Sequence, residues 1–207
     1  MSRVRRLLLL LLLATVALPA AAADLEGWDA TRWGMTQADI DRLYGGRLRK
    51  PDKPIQYGGA RAEAALPNIM VGGMPFVVSF LLGADGRLQQ VLVERRRGAI
   101  TNDRFRAVLD TLRRELGPPD LECLGGGDPQ SGSFVWQGPV TTVHALLFGY
   151  SSDVLTVNPS REVRRPVWKP REEYRGLPIR PRILLRYHPT ARADLFGRRE
   201  GCRKASG

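Results

Sequence analysis

"PFVVSFLLGADGRLQQVLVER", from Pro75 to Arg95, decides the fold class. Phe76, Val78, Phe80 and Leu82 alternate with Val77, Ser79 and Leu81. Gly83-Ala84-Asp85-Gly86 reads as a turn, and Leu88 to Glu94 returns through apolar and β-branched residues. An apolar alternation of period two, broken by a Gly/Asp cluster and resumed, predicts a β-hairpin. Ile69 to Val71 reads as a short strand ahead of it.

Upstream lies "GWDATRWGMTQADIDRLYGG", Gly27 to Gly46. Thr36 has the chemistry of a helix N-cap, and Asp39 three residues on can complete a capping box. Met35 and Ile40 have the spacing of a hydrophobic staple, and Ile40, Leu43 and Tyr44 line one face of a short helix that Gly45-Gly46 stops. Trp33 alternates with Met35, so the approach to the helix is extended and Trp33 lies at the edge of the core. Trp28 is the better candidate for an aromatic lip facing a partner.

Downstream, Thr101 caps a second helix. Phe105, Val108, Leu109, Leu112 and Leu116 form an apolar stripe at helical spacing, and Gly117-Pro118-Pro119 ends it. Phe134 to Trp136, Thr142 to Phe148 and Val154 to Val157 read as three further strands. The two halves share an order of staple, Thr cap, helix, Gly stop, loop and strands, which suggests an internal repeat of about 65 residues. The expected architecture is α+β: an antiparallel sheet with helices packed on one face, in two tandem αβ units.

The ends of the chain are of another kind. Arg3, Arg5 and Arg6 precede the apolar run Leu7 to Leu18, and Pro19 and a run of alanines follow. A charged start, a short apolar stretch and small residues at the break describe a secretory signal cleaved near Ala23, so the mature chain is expected in the periplasm or outside the cell. The expected organisation is 1–23 signal peptide, 24–99 first αβ unit, 100–160 second αβ unit and 161–207 a basic C-terminal arm. That arm carries fourteen basic and five acidic residues, whereas the body between leader and arm is near neutral. Only four of the chain's 32 basic residues are lysine. Pro166, Pro170, Pro178, Pro181 and Pro189 forbid a long helix in the arm, although "RILLRYH" can be one more strand.

Arginine interleaved with aromatics suits nucleic acid, but export removes that partner. The anions left are lipopolysaccharide phosphates, anionic lipid head groups, acidic glycans and acidic proteins. The residues expected to meet them are Arg164, Arg165, Arg171, Arg175, Arg180, Arg182 and Arg186, with Trp168 as an apolar anchor. The two cysteines, Cys123 and Cys202, are expected to pair in an oxidising compartment, which ties the arm to the second unit. Neither cysteine has a CxxC neighbour or a histidine close in sequence, so no metal site is expected, and no cofactor.

Chemistry is sparsely signalled. The only histidines are His144 and His188, and no nucleophile elbow is present. "GGGDPQSGS", Gly125 to Ser133, has neither the Lys-Ser/Thr ending nor the following helix of a phosphate loop. The expected function is therefore a non-enzymatic interaction or binding protein of the bacterial envelope. The alternative is a small hydrolase-like envelope enzyme, for which His144 beside a carboxylate would be the sign.

"WGMTQADIDRLYGG" together with "VVSFLLGADGRLQQVLVE" resembles a type of small bacterial periplasmic protein with a WGM[ST] helix start and an FxxDGxLxxV hairpin. The order of helix, glycine, loop and strands from Trp33 to Pro159 is similar to outer-membrane assembly lipoproteins of the SmpA/OmlA type. It is similar also to the tandem αβ repeats of β-lactamase-inhibitory proteins. The resemblance implies fold and compartment, and carries over no functional residue. The lipid-bearing cysteine of the lipoproteins has no counterpart here.

Overall fold

The computed structural model describes residues 25–51, 54–57, 59–95, 101–124, 130–150, 182–192, 194 and 202–204. The signal, the Val154 to Val157 strand and all of 151–181 lie outside them. Two helices are present among these residues, α1 (Gln37–Tyr44) and α2 (Asn102–Leu116). The strands are β1 (Ile55–Tyr57), β2 (Ala60–Ala62), β3 (Ala65–Val71), β4 (Met74–Leu82), β5 (Leu88–Glu94), β6 (Leu121–Leu124), β7 (Gln130–Gln137), β8 (Thr141–Tyr150), β9 (Arg182–Pro189) and β10 (Cys202–Lys204). They form one antiparallel sheet in the order β1-β2-β4-β5-β9-β8-β7-β6-β10, with β3 also on β4.

The local signals act as the sequence predicts. The Thr36 side chain accepts from the Asp39 amide while the Asp39 carboxylate accepts from the Thr36 amide, a full capping box. Thr101 caps α2, and Gly117 ends it at φ 81°, a left-handed value that favours glycine. The β4–β5 hairpin turns through Gly83–Gly86, where the Gly86 amide donates to the Gly83 carbonyl and the Arg87 amide to the Asp85 carboxylate. The pairs Val78↔Val93 and Phe80↔Val91 fix its register. The Gly34 amide donates to the Leu88 carbonyl, and the Leu88 amide to the Met35 carbonyl, so the approach to α1 is laced to the start of β5. Trp33 is half-buried against the core, and its indole N–H donates to the Thr141 hydroxyl at 2.9 Å, as befits a core-edge residue.

The principal core joins Ile40 and Tyr44 of α1 and Phe105, Val108, Leu109, Leu112 and Leu116 of α2 to alternate residues of the sheet. These include Phe76, Val78, Phe80, Val91, Val93, Phe134, Trp136, Val143, Ala145, Ile183, Leu185 and Tyr187. At about 1.5–3 kcal/mol per fully buried large apolar side chain, this cluster is the main source of stability. It draws on both proposed units at once. The intervening residues of the central strands face the other way, where Leu81, Leu92 and Leu184 pack with Ala60 and Ala62 of β2.

β9 changes the domain plan. The sequence groups 182–189 with a C-terminal arm, whereas the structure seats this strand in mid-sheet between β5 and β8. Its apolar residues Ile183, Leu185 and Tyr187 enter the principal core. The 161–207 stretch is thus not one arm. Residues 151–181 connect two strands that are partners, with Phe148 opposite Arg182. Cys202–Lys204 then pairs with β6 at the sheet's edge, and Cys123 and Cys202 form the expected disulfide.

Candidate functional site

A strand alternates its side chains, so β8 and β9 send Thr142, His144, Arg186 and His188 away from the principal core. The register sets His144 opposite Arg186 and Thr142 opposite His188. On β5, Leu92 lies opposite Arg186. Gln90, two residues before Leu92, shares its face. These groups are not solvated: Gln90 and Thr142 are 0 % exposed, His144 and His188 1 %, and Arg186 8 %.

The two imidazoles meet, with His144 Nε2 and His188 Nε2 2.9 Å apart. The other nitrogen of His188 lies 2.8 Å from the Pro189 carbonyl, which can only accept. His188 therefore carries its proton on Nδ1, His188 Nε2 accepts, and His144 Nε2 donates. Burial drives His144 down to about 3, with help from the Arg186 and His188 charges. Burial also lowers His188, although its bond to Pro189 works the other way. Both rings are neutral at pH 7. Arg186 donates to the Tyr57 hydroxyl at 3.4 Å and lies 5.8 Å from the centre of that ring. Burial pulls its pKa below the usual range and Tyr57 opposes the change. The Thr142 and Thr190 hydroxyls are 2.9 Å apart, and Thr190 donates to the Gly138 carbonyl.

This row can hold β8 to β9 and seat Tyr57. It is poorly arranged for general-base work: His144 is 1 % exposed, and a pKa of about 3 makes it a weak base near neutral pH. A hydrolase base needs to reach a substrate proton. No group of three or more His, Cys, Asp or Glu residues that could hold a metal ion occurs among the described residues. Sequence reading weighed His144 alone. The pairing with His188, 44 residues away, needs the β8–β9 register, which no local signal announces.

The residues expected to bind an anionic partner are divided by the structure. Arg164, Arg165, Trp168, Arg171, Arg175 and Arg180 lie outside the described residues. Arg182 opens β9. Arg186 is not at the surface: Leu184, Arg186 and His188, on the same face of β9, are all buried. Other cations of the expected arm are engaged as well: Arg192 pairs with Asp194 at 2.7 Å and Arg203 with Glu122 at 3.1 Å. No helix among the described residues is long and apolar enough to cross a membrane. Compared with protein-family models, curated proteins and solved structures, the chain matches none.

Proposed function

We propose that the chain is an exported, non-enzymatic interaction protein of the bacterial envelope, whose Arg-rich segment 151–181 contacts phosphate-bearing surfaces such as lipopolysaccharide or anionic lipid. The leader and the disulfide support a periplasmic or secreted location. The observation that carries the reading is the pairing of β8 with β9. It closes the segment at both ends on the middle of a disulfide-tied sheet. Tethered ends reduce the chain entropy lost when a segment binds. Arginine offers paired donors that match phosphate oxygens, and Trp168 can supply apolar contact. The candidate residues are Arg164, Arg165, Arg171, Arg175, Arg180 and Arg182. We infer also that the two halves are αβ units in tandem, their helices over one face of a shared sheet, meeting where β5 pairs with β9. Their common core and common element order support this.

The enzyme alternative would rest on His144, whose burial and pKa of about 3 make it a weak base near neutral pH. The test is binding of the mature protein to lipopolysaccharide and to vesicles with and without anionic lipid. Salt should weaken binding, because exposed charges are screened over ~8–10 Å near physiological ionic strength. Replacing Arg164, Arg165, Arg180 and Arg182 together by Gln should weaken it further at unchanged stability. Equal binding by the quadruple variant refutes the proposal, as does retention on acidic protein alone.

A further inference from the structure

On the helix side of the sheet, a cleft of about 640 Å³ opens between the segment before α1 and the C-terminal half of α2. That volume falls within the ~300–1,000 Å³ usual for small-molecule sites. A tight turn builds one wall. The Trp28 amide donates to the Thr31 hydroxyl, which donates in turn to the Trp28 carbonyl. Gly27 admits the turn, because a Cβ there would lie 2.1 Å from the Thr31 carbonyl oxygen. Asp29 adopts φ 53°, a left-handed value that costs a non-glycine residue about 1 kcal/mol or more. The turn sets the Trp28 ring edge-on to Phe80, 5.9 Å between centres, with one side on the cleft. Leu112 and Leu116 of α2 form the facing wall, and Ile69 and Val71 of β3 line the cleft as well.

Two polar groups in this cleft have no partner among the described residues. Tyr187, in mid-sheet on β9, lines it at 8 % exposure, and its hydroxyl makes no hydrogen bond to any described residue. With no partner in the described protein, this hydroxyl is free to meet a ligand from the cleft. Glu115 of α2, exposed at the rim, also lines the cleft and forms no ion pair with any described residue. Burial first, and then the Glu115 charge, raises the Tyr187 phenol above its ordinary range, so it stays protonated at any working pH. The other two charges offset each other. Asp29 accepts from the Tyr44 hydroxyl at 3.1 Å, and the Arg47 guanidinium lies 5.9 Å from the same ring. The uncompensated charge is thus the negative one on Glu115.

We propose that this cleft binds a small organic cation, an amine on an aromatic or aliphatic body. The body packs between Trp28 and Leu112, and the nitrogen takes up the Glu115 carboxylate and the Tyr187 hydroxyl. Charge complementarity selects the cation, and the idle hydroxyl supplies the directional contact.

The test uses tryptamine as probe and indole-3-propionate as its anionic counterpart, followed by amide chemical shifts of the full mature protein. Tryptamine should bind with Kd on the order of 1 mM, as befits a dozen heavy atoms, with shifts centred on Trp28, Leu112 and Tyr187. Glu115→Gln should raise Kd about fivefold, the size of a partly exposed ion pair. Tyr187→Phe should raise it about threefold without lowering stability, since the hydroxyl holds nothing within the protein. No shifts at about 10 mM probe, equal binding of the anionic counterpart, or an unchanged Kd in Glu115→Gln each overturns the proposal.

Discussion

Acidification should strip stability from this fold through His144. The ring is 1 % exposed and its pKa in the folded protein is about 3, against about 6.5 for a solvated histidine. A group whose folded pKa is depressed binds its proton more readily in the unfolded chain. Its contribution is therefore complete above pH 6.5 and is lost as pH falls from there toward 3. Between pH 7.5 and 5 the loss from His144 alone is about 2 kcal/mol, a sizeable share of a domain's 5–15 kcal/mol. The cause is local. A second proton on His144 puts a cation in a dry site beside the Arg186 guanidinium, with His188 alongside. Tyr57 bears on Arg186 alone, and Asp194 and Arg192 act on His188 from further off. Urea unfolding of wild type and His144→Gln at both pH values isolates the effect, because the carboxylate background is common to both. Glutamine keeps a donor toward His188 but cannot titrate. It should cost about 1 kcal/mol at pH 7.5 and narrow the gap between the two pH values by about 2 kcal/mol. An equal gap in variant and wild type refutes the assignment of a buried neutral pair.

Removing the disulfide by Cys123→Ser and Cys202→Ser together should cost up to about 4 kcal/mol, since the bridge spans a sequence separation of 79 residues; thiol titration of the native protein without reductant should find none. Gly72→Ala should destabilise by about 2 kcal/mol or more, because its φ is 54° and a Cβ there would sit 2.7 Å from the Ala107 backbone of α2. Gly73→Ala, at φ 73° with open space around it, should cost only the backbone term of about 1 kcal/mol, and thermal melts of the two variants compare them. Mass spectrometry of the exported protein should find a mature N-terminus at Ala23 or Asp24, and retention of Arg3 would refute cleavage.

The legible parts of the fold were those written in nearest neighbours. Thr36 with Asp39, Thr101 with its apolar stripe, and the Gly83–Gly86 turn each lie within a few residues of what they control, and each acts as read. β9 was harder to read because its signal is two-sided. Ile183, Leu185 and Tyr187 alternate with Leu184, Arg186 and His188, and both sets are buried. A half-buried strand shows its polar residues to water; this one turns them to a covered face, so Arg186 and His188 made an inner strand look like part of a cationic tail. The neighbouring prolines strengthened that impression. The cleft was invisible for a related reason. Trp28 and Tyr187 are 159 positions apart, and only the finished sheet brings them to one hollow. Trp28 alone could be singled out, from its place outside the Trp33–Met35 alternation.

The placement of β9 also changes what the positive charge can mean. Counted along the sequence, the excess sits in one block after residue 160, which invites a single electrostatic explanation. Folding divides that block. Arg186 is inside the sheet against Tyr57, Arg192 faces Asp194, and Arg203 lies across β10–β6 from Glu122. A buried guanidinium adds little to the field outside, and an exposed pair is nearly neutral beyond a Debye length. Three of the fourteen cations are thus tied to the architecture. The densest remaining block of cations is the segment between β8 and β9, with Arg182 at its foot. A salt-dependent interaction should follow Arg164, Arg165, Arg180 and Arg182, and be indifferent to Arg192 and Arg203. Replacing these last two by Gln is thus the control that separates a located cationic contact from a general effect of net charge. Loss of binding in that control, at unchanged fold, would return the interaction to net charge alone.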